Sequence, residues 1–203
     1  MRLSSIFIGL MFCTLSMSSF AQTPQATPTR IRGTVAALDG QALTVLSREG
    51  DRVTLELMPN FVVRSLEKRQ LSDIKEGDYV ASAGVRGVDG KLHALEVRIF
   101  PEALRGRAEG QFAWDLLPES TMTNATVVGT SKASTGTTLK VVFKGGESEY
   151  VVGPDTPVMT YGTGDASLLK PGAVVVVFAL KHADGKLTAD SIAAESNGLK
   201  PPM

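Results

Sequence analysis

The feature that most constrains the fold is a stretch that the chain contains twice. DGKLHALEV, residues 89–97, returns as DGKLTADSI at residues 184–192. Further pairs lie at almost the same spacing: Gly33 with Gly129, Gly40 with Gly136, Leu43 with Leu139 and Gly50 with Gly146, each 96 apart, and Gly77 with Gly172, 95 apart. Self-similarity at a fixed period is the signature of a repeated structural unit. The sequence therefore predicts an internal repeat, in which the chain contains two copies of one small module.

Each module alternates short β-branched runs with glycine turns. IRGTVAAL is followed by Asp39-Gly40, then come ALTVLS, a second glycine turn and RVTLEL, in which apolar and polar side chains alternate. Runs of this kind between tight turns predict a meander of three antiparallel strands. Pro59 is expected to end the third strand, and the apolar spacing over 62–72 predicts one or two helical turns. Asp89-Gly90, and Asp184-Gly185 in the second copy, then predict a two-stranded hairpin.

Three strands, a short helical insert and a hairpin follow the order of an OB-like small barrel. The predicted fold class is all-β, with one or two short helical turns per module, as two tandem OB-like small β-barrels from an internal repeat. The predicted segments are a signal peptide (1–21), a flexible lead-in (22–29), a first barrel (30–100), a joint (101–125), a second barrel (126–195) and a flexible tail (196–203).

The motifs of the module resemble those of DUF5666, an exported bacterial domain of unknown function and a small β-barrel. They are G-T-V…D-G-x-x-L-T-V, L-x-x-I-K-x-G-D-x-V and D-G-K-L-x-A-x-x-V over 31–99, with a weaker copy over 126–193. The stretch 105–124 resembles the joint of two-module members, some of which carry the name metal ABC transporter permease. That name does not fit a chain without a membrane span. The motif residues are turn and core residues, so the resemblance implies a fold and no activity.

The first 21 residues have the three regions of a secretory signal peptide. Arg2 supplies the positive charge, an apolar stretch follows, and small residues precede a cleavage site between Ala21 and Gln22. Bulky residues before Cys13 do not fit a lipid-anchor signal. No later segment approaches the roughly twenty apolar residues of a membrane-spanning helix. We therefore expect a periplasmic or secreted protein.

Charge and cysteine content exclude several classes of function. Lys and Arg number 21 and Asp and Glu also 21, so the chain without its leader stays close to neutral. A neutral surface does not favour nucleic acid as a partner, because nucleic-acid binding normally needs a basic face. Removal of the leader also removes Cys13, the only cysteine. Disulfides and thiol catalysis are therefore not expected.

The sequence offers no metal-binding or catalytic constellation. The two histidines, His93 and His182, fall at non-equivalent places in the two modules. Tight zinc or copper binding needs three or four converging soft or imidazole ligands, so we expect no metal site and no cofactor. A Gly-x-Ser-x-Gly elbow is absent, and Ser65-Leu66-Glu67-Lys68 matches the acylating Ser-x-x-Lys motif only as a chance occurrence. The chain is predicted not to be an enzyme.

The joint is the one stretch with an unusual composition for a linker. It holds the only tryptophan, Trp114, together with Phe112, Arg105 and Arg107. These four residues are the candidate binding residues, because tryptophan and arginine are enriched at binding hot spots. Alternatively, the two aromatic side chains dock into the groove between the barrels and fix their relative angle. A third surface, the strand 2–3 face at 43–57 and 139–152 where OB-like barrels usually bind, is poor in aromatic residues.

Two functions are compatible with these observations. The leading prediction is an exported, non-enzymatic binding or adaptor protein for an extracytoplasmic protein, glycan or small ligand. The alternative is an accessory protein in periplasmic metal handling, which a metal titration would distinguish from the first.

Overall fold

The computed structural model describes residues 26–133 and 136–203, and within them the chain is built from strands and short 3-10 turns. The strands are β1 (Thr27–Asp39), β2 (Ala42–Ser47), β3 (Arg52–Arg69), β4 (Tyr79–Arg86), β5 (Leu92–Ile99), β6 (Gly110–Ala113), β7 (Thr121–Ala133), β8 (Gly136–Phe143), β9 (Gly146–Val152), β10 (Val158–Thr163), β11 (Val174–Lys181) and β12 (Leu187–Ala194). The 3-10 turns are Leu71–Asp73, Glu102–Leu104 and Ala166–Leu168. The all-β fold class is confirmed. The predicted signal peptide, its cleavage site and Cys13 lie outside the described residues.

The described strands form two closed barrels. In the first barrel, the meander β1–β2–β3 joins the hairpin β11–β12 through antiparallel pairing of β1 with β11 and parallel pairing of β3 with β12. In the second barrel, the meander β7–β8–β9 joins the hairpin β4–β5 through antiparallel pairing of β4 with β7 and parallel pairing of β5 with β9. Both barrels are OB-like. Strand β10 pairs with β3 and β5, so one 12-stranded sheet runs through both barrels.

The barrels do not coincide with the two halves of the chain. Each barrel takes its meander from one half and its hairpin from the other, so the hairpins are exchanged. This pairing contradicts the predicted barrel boundaries of 30–100 and 126–195, because β4–β5 belongs to the second barrel and β11–β12 to the first. The alternation of strands and turns is the same in either arrangement, so it could not have distinguished them.

The physical reason for the exchange is the length of β3. The helical turns expected over 62–72 would have reversed the chain, but β3 stays extended as far as Arg69, and only Leu71–Asp73 forms a 3-10 turn. The strand also passes through Pro59, which lies opposite a register shift in β12, where a residue without an N–H does not interrupt the ladder. The extended strand leaves the first barrel and carries the following hairpin into the second.

The hairpin β1–β2 is shorter than its counterpart β7–β8. Leu43 pairs with Leu38, whereas Leu139 pairs with Thr130. Equivalent positions are therefore 96 residues apart in β2 and β8, but only 92 residues apart in β1 and β7. Consequently the aligned pairs Gly33–Gly129 and Gly40–Gly136 are not structurally equivalent. Three of the predicted turn glycines do have positive φ in hairpin turns: Gly40 (56°), Gly90 (76°) and Gly185 (84°).

Each barrel has its own apolar core, and both cores mix residues from the two halves. The core of the first barrel packs Leu43 and Leu57 against Val177 and Ile192, and the core of the second surrounds Tyr150. Burial of one such aliphatic side chain stabilises the fold by about 1.5–3 kcal/mol. A third, smaller cluster lies under the joint, outside both barrels.

The described parts of the predicted lead-in and tail are more structured than expected. The last part of the lead-in, 27–29, belongs to β1 and pairs with β11. In the tail, Ser196 forms a bridge with Leu199, and Pro201 is buried. Within residues 26–133 and 136–203, no helix has the length and hydropathy needed to cross a membrane.

Candidate ligand-binding cleft

The joint packs along the second barrel. Its strand β6 pairs with β7, and the following loop is closed by the backbone N–H of Trp114, which donates to the carbonyl of Ser120 at 2.8 Å. Phe112 and Trp114, two positions apart, both pack on the apolar cluster that contains Ala81 and Met122. Their ring centroids are 6.1 Å apart in an edge-on arrangement. The two aromatic side chains of the joint therefore lie on the outer face of the second barrel.

Trp114 also contacts the first barrel. The guanidinium of Arg30 lies 4.1 Å from its ring centroid and that of Arg32 lies 5.5 Å away. Both arginines donate to Oδ1 of Asp115, at 2.8 Å from Nε of Arg30 and 3.1 Å from Nη2 of Arg32. Burial raises the pKa of Asp115, but hydrogen bonds and charges from Arg32 and Arg30 lower it more, so it lies below its usual value. The joint is thus held by both barrels.

A buried ion pair lies where the barrels meet. Glu96 is 1% exposed and Arg98 is 6% exposed, and Nη2 of Arg98 donates to Oε2 of Glu96 at 2.8 Å. Nη1 of Arg98 donates to the hydroxyl of Tyr161 at 2.7 Å. Burial lowers the pKa of Arg98, but the charge of Glu96 and the contacts with Tyr161 raise it by more. The pKa therefore lies above its usual value, and the guanidinium stays cationic. Each buried charge is stabilised mainly by the other.

A cleft of about 300 Å³ lies at the junction of the two barrels and the joint. Four arginines line it: Arg30, Arg64, Arg98 and Arg107. The aromatic part of the lining consists of Phe100, Phe112, Trp114, Tyr161 and Phe178. Small-molecule sites are typically apolar and aromatic pockets at domain interfaces with a few placed polar groups. This cleft has that composition.

Three buried polar atoms of the lining have no hydrogen-bond partner. Four side-chain atoms of this kind occur in the described part of the chain, and three of them belong to cleft residues: Nε of Arg98, Nε1 of Trp114 and Oδ1 of Asn124. The amide nitrogen of Asn124 donates to the carbonyls of Arg107 and Ala108, at 3.2 and 3.1 Å. A buried polar atom without a partner costs about 1–3 kcal/mol. The protein itself therefore leaves polar groups at the junction of the barrels incompletely hydrogen-bonded.

Arg64 and Arg107 carry positive charge and have no carboxylate in ion-pair contact in the described part of the chain. Nη1 of Arg64 donates to the hydroxyl of Ser191 at 2.6 Å, and its guanidinium lies 5.7 Å from the ring centroid of Tyr161. Burial lowers the pKa of Arg64, and the charge of Arg107 lowers it further, against smaller opposite effects of Tyr161 and Asp190. Across residues 26–133 and 136–203, neither arginine forms an ion pair.

The structure brings together three of the four candidate residues predicted from the sequence. Arg107, Phe112 and Trp114 line the cleft, but Arg105 does not. Nε of Arg105 forms an exposed ion pair with Glu102 at 2.6 Å, and its Nη2 donates to a backbone carbonyl. Two alternatives were predicted for the joint: docking between the barrels, or forming a binding surface. Both involve Phe112 and Trp114, which pack on the apolar cluster and also line the cleft, so the alternatives do not exclude each other.

Sequence reasoning missed the lining residues that come from the strands, including Arg30, Arg64, Arg98 and Tyr161. They lie far apart in the sequence and meet only because the barrels pack together. A signal was present in β1, where Arg30 and Arg32 flank the buried Ile31, and in β5, where Glu96 and Arg98 flank the buried Val97. Such alternation ordinarily indicates a solvent-exposed face.

The other surfaces considered from the sequence lie elsewhere. No residue of the strand 2–3 face, 43–57 and 139–152, lines the cleft. His93 lies 3.0 Å from Asp89 on an exposed hairpin, and His182 lies 2.9 Å from the hydroxyl of Thr188. Among the residues that the structure describes, no group of three or more His, Cys, Asp or Glu side chains could hold a metal ion.

Together these observations define an all-β protein of two OB-like barrels with a ligand-sized cleft at their junction. A family model described as a domain of unknown function, DUF5666, matches residues 129–193. The match begins in β7 and ends in β12, and its strands are divided between both barrels. No curated protein and no solved structure matches the chain.

Proposed function

We propose that the chain is an exported, non-enzymatic binding protein that holds a small ligand in the cleft between its two OB-like barrels. The observation that carries the proposal is the lining itself, which combines five aromatic rings with four arginines at the junction of the barrels and the joint. Small-molecule sites are lined mainly by apolar and aromatic side chains, with a few polar groups that fix the orientation of the ligand.

The chemistry of the lining supports binding rather than catalysis. No carboxylate, histidine, thiol or lysine is among the described residues that line the cleft. The arginines stay protonated in proteins and cannot act as a general base near neutral pH. Tyr161 contributes a phenol to the lining, and its hydroxyl is engaged by Nη1 of Arg98. The lining is therefore better suited to positioning and desolvating a ligand than to proton transfer.

The proposed location is the periplasm or the exterior, after cleavage between Ala21 and Gln22. The three-region leader supports it. We further infer that the chain contains two copies of one module. The Asp-Gly-Lys-Leu motifs of the two equivalent hairpins and the equal strand order of the two barrels support this interpretation. The alternative function in metal handling gains no support from the described side chains, which offer no cluster of metal ligands.

Native mass spectrometry of residues 22–203, purified from an exporting host, tests the proposed function. We expect a bound small molecule at one per chain, because the two barrels and the joint form this cleft once in each chain. Trp114→Ala should lose this molecule, whereas Phe143→Ala, which alters an aromatic side chain packed on the core of the second barrel away from the cleft, should retain it. Equal occupancy in the wild-type protein and the Trp114 variant would contradict the proposal.

A further inference from the structure

The charges around the cleft do not cancel. Arg98 is neutralised by Glu96, and Asp115 is shared between Arg30 and Arg32. Two further arginines, Arg64 and Arg107, line the same cleft and have no ion-pair partner in the described part of the chain. The cleft therefore has an excess of positive charge that an anionic group of a ligand would neutralise.

Arg64 is the better placed of the two unpaired arginines to hold an anion. Its Nη1 is fixed by the hydroxyl of Ser191, so its orientation is set before any ligand arrives. Arg107 is exposed, and its backbone carbonyl accepts hydrogen bonds from Tyr79 and Asn124, at 3.2 Å each. The charge of Arg107 acts unfavourably on the guanidinium of Arg64, and a bound anion would offset this repulsion. A guanidinium binds a carboxylate with two parallel, charge-assisted hydrogen bonds, which favours this group over a neutral one.

The rest of the lining is suited to a flat apolar body. Phe112, Trp114 and Phe178 supply ring surfaces, and Ala81 and Met122 supply aliphatic surface. The volume of about 300 Å³ is at the lower end of the range for ligand pockets, so the body must be small.

We propose that the cleft selects small molecules that carry a single carboxylate on a flat apolar body, with Arg64 and Arg107 holding the carboxylate. The inference rests on the proposed function, because it assigns a ligand class to the same cleft. It adds a charge requirement that a general binding site for apolar molecules would not have.

Calorimetry with naphthoate and naphthamide tests the inference, since the two probes share a ring system and differ in one charge. We expect naphthoate to bind the mature chain at least tenfold more tightly than naphthamide, a difference of about 1.4 kcal/mol. Arg64→Gln and Arg107→Gln should each weaken naphthoate binding about tenfold and leave naphthamide binding unchanged. Arg105→Gln is the matched control, because Arg105 lies in the joint two positions before Arg107 and is outside the cleft lining.

The possible outcomes separate the inference from the proposed function. Equal affinity for the two probes, unaffected by Arg64→Gln and Arg107→Gln, would overturn the charge requirement and leave the proposed binding function supported. Binding of neither probe would overturn the inference, and the mass-spectrometric occupancy would then decide the proposed function on its own. An equal loss of naphthoate binding in Arg105→Gln would also overturn it, because the effect would then come from overall charge.

Discussion

Glu96→Gln removes one charge from the most buried ion pair described in the structure. Glu96 and Arg98 are 1% and 6% exposed, and the atoms that join them are 2.8 Å apart. The substitution keeps the shape of the side chain but leaves the guanidinium of Arg98 buried, with the hydroxyl of Tyr161 as its main remaining polar contact. Removal of one partner of a buried ion pair costs about 3–5 kcal/mol. For a chain of this length, the expected decrease in Tm is about 6 to 20 °C.

Urea unfolding, followed in parallel by circular dichroism and by the fluorescence of Trp114, measures the loss. Glu67→Gln is the matched control, because Glu67 forms a 2.9 Å ion pair with Arg69 whose two side chains are 49% and 40% exposed. Such an exposed pair contributes no more than about 1 kcal/mol. Replacing both partners by apolar side chains, Glu96→Leu together with Arg98→Met, should cost much less than Glu96→Gln alone, since an apolar replacement of a buried pair is often neutral. A cost for Glu96→Gln as small as that of the control would refute the reasoning.

Three further predictions concern acid pH, alkaline pH and strand pairing. Because the pKa of Asp115 is lowered in the folded state, its ionised form stabilises the fold at pH values above the usual aspartate pKa of 3.8. This contribution is lost as the pH falls through the pKa of the folded state. Asp115→Asn should therefore flatten the acid limb of a curve of stability against pH. Burial and then the charge of Glu109 raise the pKa of Tyr79 to about 12, so stability should fall as pH rises from 10 towards 12, and Tyr79→Phe should remove that fall; an ultraviolet titration gives the pKa. Thr27 pairs with Lys181 across β1 and β11, so cysteines at these two positions should form an intramolecular disulfide under mild oxidation. Cysteines at Thr27 and at Arg86, the end of β4, should not form one. The reverse result would show that the hairpins are not exchanged.

The fold class could be predicted from local signals, but the pairing of the hairpins could not. Asp-Gly turns and period-2 alternation depend on neighbouring residues, and both are visible in the sequence. The partner of each hairpin depends on whether residues 62–69 turn back or continue as a strand. Val62 and Val63 are β-branched and favour extension, while the spacing of Val62, Leu66 and Leu71 indicated a helix. Pairing with β10 decided in favour of the strand.

The candidate site was only partly predictable for a similar reason. Phe112 and Trp114 stand out because a linker seldom contains such side chains. Glu96 and Arg98 flank the buried Val97 and would ordinarily be assigned to the solvent-exposed face of β5. That face is buried because the two barrels pack against each other. No local pattern in the sequence encodes this packing.

The hairpin exchange has a consequence for the order in which the chain can fold. All strands of the second barrel fall between Tyr79 and Val152, so this barrel is one uninterrupted segment inserted within the first. The first barrel needs residues from both ends of the described chain, and its closure must await β11 and β12. Contacts at such long sequence separation form slowly. The interior segment can therefore complete its core first. A chain truncated before Val174 would leave the β11-facing edge of β1 and the β12-facing edge of β3 unpaired and open to aggregation.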